Sequence, residues 1–117
     1  NYLVHCIWAN NQQGLQLRQN RLFDFVGSTN TGAGILVQNS RLVRIESNRI
    51  GGTLARSGME LINMGAGTNG ENNLIVNNEI SGRTNTASGN TGLSRGILVT
   101  GNVADGRDRI AILHNSI

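Results

Sequence analysis

The segment Val43-Arg44-Ile45-Glu46-Ser47-Asn48-Arg49-Ile50 decides the fold, because its pattern returns. Asn73-Leu74-Ile75-Val76-Asn77-Asn78-Glu79-Ile80 and Ile110-Ala111-Ile112-Leu113-His114-Asn115-Ser116-Ile117 carry an aliphatic residue, an Asn and a closing Ile at the same offsets. Looser copies lie over 3–10 and 22–28. A second kind of segment starts on Gly and alternates aliphatic with other residues: Gly14-Leu15-Gln16-Leu17-Arg18, Gly34-Ile35-Leu36-Val37-Gln38, Gly58-Met59-Glu60-Leu61-Ile62 and Gly96-Ile97-Leu98-Val99-Thr100. Its glycines lie 20, 24 and 38 residues apart. Alternation of this kind marks short strands. Its recurrence at intervals of about 20 residues or more marks a stack of repeated units.

One such unit has too little apolar surface to fold alone, so it buries its inward residues against the next. Stacking at the strand spacing of about 4.8 Å turns equivalent positions into columns. The expected inward columns are Leu15, Ile35, Met59 and Ile97, then Leu17, Val37, Leu61 and Val99. A second sheet would hold Ile45, Ile75 and Ile112, closed by Ile50, Ile80 and Ile117. Asn48, Asn78 and Asn115 form an expected structural ladder at the bend, where side-chain amides cap unpaired backbone groups. Steps longer than the bare repeat of ~20 residues imply insertions at 51–57, 66–72 and above all the polar loop 81–95. The pattern begins at Leu3 and stops on Ile117 without a capping element, so residues 1–117 read as one segment of a longer solenoid with uncapped ends.

The Gly-Ile-x-Val and Asn-x-Ile segments resemble the parallel β-helix repeats of the pectate-lyase-like superfamily. The resemblance implies an all-β, right-handed parallel β-helix of about four to five coils, a handedness that parallel crossovers also favour. An antiparallel sandwich is the rival architecture, but it would not repeat Asn-x-Ile in register. The superfamily includes lyases, hydrolases, epimerases, tailspikes and adhesins, so the fold does not carry the function.

Composition agrees with a stack of short strands. Aromatic residues make up 3% of the 117 residues, too few to fill a compact core with rings. Gly is abundant at 16 and Pro is absent, as in a chain of tight turns between aliphatic strands. The net charge is +3 and every basic residue is Arg. That balance suits an acidic polysaccharide, while the even spread of Arg argues against a nucleic-acid stripe. No run approaches the ~18 apolar residues of a membrane span. The single Cys6 excludes an internal disulfide.

The enzyme motifs of the superfamily are missing. Asp24, Asp105 and Asp108 are the only Asp residues and neither His lies between glycines. This counts against polygalacturonase-type hydrolysis and against a calcium-dependent lyase. The weak catalytic candidates are Asp24, Arg44 and Glu46. Counted outward from the columns, Asp24 and Arg44 fall on equivalent positions of successive coils, with Glu46 beside them. The set reads either as an acid/base or sugar-binding cluster or as a surface ion-pair ladder of little energetic weight. A register slip of one residue would turn Asp24 inward.

Candidate ligand-binding residues are Arg83 and Arg95, which bracket the long loop, and Asp105, Arg107 and Asp108 in an Asp-Gly-Arg-Asp turn. Loops on a rigid scaffold carry binding groups, and Arg grips carboxylates in a fork; ordinary turn chemistry at Asp105-Gly106 is the alternative. His5 and His114 fall in strand segments and read as ladder residues. No metal-ligand spacing exists and no cofactor is expected.

Leu74, Val76, Ala111, Leu113, Leu36, Ile62 and Leu98 are aliphatic at outward positions, so part of the exterior is expected to be covered. The outer face of the first sheet is expected to hold Gln16, Arg18, Gln38, Glu60 and Thr100, and protein cover there would weigh against a sugar-cleaving groove. The chain is therefore expected to be a non-catalytic structural or binding β-helix module of an extracellular or cell-surface, polysaccharide-associated protein of the fibre, tailspike or adhesin kind. The other reading is part of a polysaccharide lyase, glycoside hydrolase or epimerase acting on an acidic polysaccharide. Expected partners are that polysaccharide and further β-helix, laterally or end to end, as a homo-oligomer or the rest of a parent chain.

Overall fold

A computed structural model describes residues 5–23, 32–54, 57–66, 71–84, 95–101 and 109–117. Among them all regular structure is strand: β1 (Ile7–Asn10), β2 (Gln16–Arg18), β3 (Arg21–Leu22), β4 (Ala33–Gln38), β5 (Arg44–Glu46), β6 (Arg49–Leu54), β7 (Ser57–Ile62), β8 (Asn73–Val76), β9 (Glu79–Thr84), β10 (Arg95–Thr100) and β11 (Ile110–Leu113). The strands form three sheets in the orders β1-β4-β7-β10, β11-β8-β5-β2 and β3-β6-β9. Every pairing between them is parallel. The chain thus visits first, second and third sheet in turn and then returns to the first. Parallel neighbours need a long connection between them, and here the strands of the other two sheets supply it. The arrangement is compatible with a β-helix-like fold.

Register explains the alternation. Ile7, Ile35, Met59 and Ile97 align across the first sheet, as do Ala9, Val37, Leu61 and Val99. Leu17, Ile45, Ile75 and Ile112 align across the second, and Leu22, Ile50 and Ile80 across the third. Ile35, Val37, Ile45, Ile50, Met59, Leu61 and Ile75 are essentially fully buried and form one cluster. Each buried aliphatic side chain contributes roughly 1.5–3 kcal/mol. On β10 and β11, which have a described neighbour on one side only, Val99 and Ile112 stay 41% and 44% exposed.

Three expectations change. The Gly14–Arg18 segment does not join the first sheet: Gln16–Arg18 pairs with Arg44–Glu46 in the second, and β1 supplies Ile7 and Ala9 to the columns assigned to Leu15 and Leu17. The two kinds of glycine differ physically. Gly14 is a turn residue with φ of +72°, whereas Gly58 lies inside a strand. The repeat is accordingly longer than the glycine spacing suggests, with equivalent residues 24 to 30 apart on the shorter steps. Finally, residues 51–54 and 81–84, expected as insertions, continue β6 and β9 and pair with each other from Gly51–Ser81 to Leu54–Thr84. Ile50 and Ile80 belong to this third sheet.

The two sequence motifs meet in space. A Cβ placed on Gly58 would lie 2.5 Å from Ile80 Cγ2 and 2.9 Å from the Gly96 carbonyl. One placed on Gly96 would collide with Ile117 Cγ2. The closing Ile of Asn-x-Ile therefore packs on the Gly that opens the same pass, and a larger residue there would force its neighbours to shift. Bends are made by residues with φ near +50°: Asn11, Asn39 and Asn63 after the first sheet, and Gln19, Ser47, Asn77 and His114 after the second. Asn tolerates this conformation best. His5 and His114 flank strands rather than lying in them.

Candidate functional site

Each residue of the second set of bends is followed by an inward Asn, and these make a continuous ladder. Asn48 Oδ1 accepts from the Asn20 main-chain N–H at 3.0 Å and from its amide at 2.8 Å. Asn78 Oδ1 accepts from the corresponding atoms of Asn48 at 3.0 and 2.9 Å. Asn115 Oδ1 accepts from those of Asn78, both at 2.9 Å. The amides also donate to main-chain carbonyls, such as Asn48 to Leu17, Asn78 to Ile45 and Asn115 to Ile75. Asn48, Asn78 and Asn115 thus act as the expected structural ladder, and Asn20 is a rung that the sequence pattern missed. The signal was there: Asn20 precedes Arg21-Leu22 as Asn48 precedes Arg49-Ile50.

Arg44 and Glu46 do meet. Arg44 Nε and Nη2 donate to the two Glu46 carboxylate oxygens at 2.9 and 3.3 Å. Arg18, the residue in register with Glu46, adds a contact at 3.2 Å. The residue in register with Arg44 is Gln16; Asp24 lies outside the described residues. The hydrogen bond from Arg44 holds the Glu46 carboxyl below the usual carboxylate range, and the charges of Arg44 and Arg18 add to it. A carboxylate so compensated and ionised is a poor proton donor. A second forked pair joins Arg49 and Glu79 at 2.8 and 3.0 Å on the third sheet.

Of the loop candidates, Asp105, Arg107 and Asp108 lie outside the described residues. Arg83 lies on β9 opposite Thr53, and Arg95 opens β10 opposite Ser57. The described residues gather no cluster of three or more potential metal ligands, and no described helix is long and apolar enough to cross a membrane.

The outer face of the first sheet differs from its expected content. Gln16 and Arg18 sit on the second sheet. The column outward of the core is Trp8, Leu36, Glu60 and Leu98. Leu36 and Glu60 are 8% and 5% exposed, so this part of the face is covered. Trp8 is 64% exposed and, with His5, Leu36 and Gln38, borders a recess of about 210 Å³. His5 is fixed because its Nδ1 accepts from the Ala33 main-chain N–H at 3.1 Å. That bond places the proton of the neutral imidazole on Nε2. Beside it, partial burial pushes the Cys6 thiol up, leaving less of the reactive thiolate. Sequence reasoning passed over Trp8, since an isolated aromatic near one end carries no pattern. No protein-family model, curated protein or solved structure matches this chain.

Proposed function

We propose that the three parallel sheets are the faces of a right-handed parallel β-helix of the pectate-lyase-like kind, each pass being one coil. On this reading the stretch serves an extracellular protein as a non-catalytic module that holds a polysaccharide. Trp8 carries the proposal. An indole left largely in water, beside a small recess with one amide and one oriented imidazole, suits the apolar face of a sugar ring, with Gln38 and His5 to meet its hydroxyls. The carboxylates of the described strands favour binding over cleavage. Register puts Glu46, Glu60 and Glu79 on three different sheets. Glu60, on the same column as Trp8, is buried. Trp8 is the only tryptophan, so its fluorescence reports on its own recess. Titration with neutral and acidic oligosaccharides is expected to shift that emission saturably, and by calorimetry, which needs no tryptophan, Trp8→Phe is expected to keep affinity where Trp8→Ala loses it. Unchanged affinity in Trp8→Ala defeats the assignment of this recess, and release of reducing or unsaturated sugar ends defeats the non-catalytic reading.

A further inference from the structure

The two ends of the stack fit each other as neighbouring passes do. At one end lie β1, β2 and β3, and at the other β10 and β11 with the closing residues 114–117. Among the described residues each of these end strands is paired along one edge only, so a row of N–H and C=O groups there has no partner strand. The apolar columns are open at the same places. Val99, Ile112 and Ile117 remain exposed at one end, and Ile7, Ala9, Leu17 and Leu22 are only partly buried at the other.

Extending the register by one step sets one end on the other. The column Ala9, Val37, Leu61, Val99 continues into Ala9 of a second copy, and Leu17, Ile45, Ile75, Ile112 into its Leu17. Both ends are built on the same bend: Gln19 and His114 hold φ of 56° and 52°, and Ser47 and Asn77 between them hold 56° and 54°.

The asparagine ladder gives the direction. Each rung passes its main-chain N–H and its amide to Oδ1 of the next, from Asn20 through Asn48 and Asn78 to Asn115. Asn115 is the last described rung, and its amide reaches only the Ile75 and Leu113 carbonyls. No described Asn donates to Oδ1 of Asn20. One end therefore offers the donor and the other the acceptor, the pairing that main-chain groups require once buried. Charge opposes the alternative in which like ends meet. Arg18 and Arg21 are exposed at the first end, and a head-to-head pair would gather both copies' arginines on one seam, with like charges opposed. Head-to-tail register instead sets Arg18 beside Leu113 and Arg21 beside Ser116.

We propose that these ends form a self-association interface, in which a second copy of the chain docks head to tail, residues 7–22 of one on residues 95–101 and 109–117 of the other, and Asn115 donates to Asn20 Oδ1 across the junction. A whole pass on each side approaches the ~20 residues a side of a stable interface. The contact is heterologous, so each docking leaves a fresh end and the product is an open filament. It stands on strand register and not on sugar binding at Trp8.

In light scattering the full chain is expected to grow past the dimer between about 1 and about 100 µM, the range set by a micromolar Kd. Val99→Lys and Ala9→Lys each put a charge into one end column, and each is expected to abolish growth. Their mixture is expected to form a heterodimer and nothing larger, because each variant keeps the end that the other has lost. Where circular dichroism shows that a lysine disturbs folding, cysteines read the same register. Gln16 and Ala111 share an outward column, so docking brings them about 4.8 Å apart, inside the ~4.4–6.8 Å that a disulfide spans. In a Cys6→Ser chain, Gln16→Cys with Ala111→Cys is expected to oxidise into a ladder of covalent multimers, and either cysteine alone to give none. A native chain that stays monomeric throughout assigns the open edges to a different polypeptide and overturns the proposal. Growth that stops at the dimer, a monomeric mixture of the two folded lysine variants, or equal cross-linking with Gln16→Cys alone overturns it as well.

Discussion

Replacing Asn78 by Ala tests whether the asparagine ladder carries stability or merely accompanies the fold. Asn78 is 1% exposed. Its Oδ1 accepts the Asn48 main-chain N–H at 3.0 Å and the Asn48 amide at 2.9 Å. Its amide donates to the carbonyls of Ile45 and Val76 at 3.0 and 3.1 Å and to Asn115 Oδ1 at 2.9 Å. Truncation does not strand all of these. The Asn48 amide keeps the Leu17 and Glu46 carbonyls, and Asn115 Oδ1 keeps the Asn78 main-chain N–H. The Asn48 N–H has no such reserve. A buried donor without a partner costs about 1–3 kcal/mol, and each of the other lost bonds about 0.5–1.5 kcal/mol net. Alanine is therefore expected to cost about 3 kcal/mol, a large share of the ~5–15 kcal/mol that holds a typical domain. Asn20→Ala is the control. Asn20 is part-exposed and donates to Asn48, so water replaces it for about 1 kcal/mol or less. Urea unfolding followed by circular dichroism gives both values, and hydrogen exchange at the Asn48 amide gives a local one. Protection of that amide is expected to collapse in Asn78→Ala. If the two variants differ by less than ~0.5 kcal/mol, stranding a buried donor is not what makes the ladder stabilising, and the reasoning fails.

Gly58→Ala is expected to cost at least ~1–3 kcal/mol through overpacking, and its effect is expected to be non-additive with Ile80→Ala, which removes the nearest side-chain atom; strict additivity in a double-mutant cycle would refute the contact. Ser57→Ala is expected to be neutral or stabilising in thermal unfolding, because the buried Ser57 hydroxyl has no hydrogen-bond partner among the described residues; a loss above ~1 kcal/mol would show that it has one. Glu46 carries a depressed pKa, through the Arg44 hydrogen bond first and then the charges of Arg44 and Arg18. Its contribution is therefore present above the ordinary Glu value of about 4.3 and lost as pH falls through the lower folded value. Glu46→Gln is expected to be less stable than the native chain at neutral pH, with the gap closing in acid; a gap that widens on acidification reverses the sign and refutes the pairing.

Much of the fold was legible because stacking converts sequence spacing into contact. The interval that carries Ile45 to Ile75 also carries Asn48 to Asn78 and Ile50 to Ile80, so one segment aligned correctly brings three columns with it. The misassignment of Gly14–Arg18 shows where this breaks down. Gly-Leu-Gln-Leu reads as the opening of a strand like Gly34-Ile35-Leu36-Val37, but alternation of period 2 cannot tell one sheet from another. The distinction lies in what each glycine does. At Gly14 it permits φ of +72°, and at Gly58 it makes room for Ile80. Neither cause is written in the local sequence. The 28-residue interval from Asn20 to Asn48 was, and it would have put Leu17 beneath Ile45.

The sites were less legible for a related reason. A ladder residue announces itself by recurring, whereas a binding residue differs from its equivalents on neighbouring passes. Trp8 precedes Leu36 and Glu60 in its column. Search by repetition therefore finds what every pass shares, which is structure, and discards what one pass has alone. Arg44 and Glu46 illustrate the converse. They were found by their place in the repeat, and the structure spends them on each other and on Arg18. In a chain built this way, the better functional guide is the position where the repeat is broken by a polar or aromatic residue whose charge or surface the neighbouring passes leave unmatched. Trp8, left largely in water, meets that condition on surface.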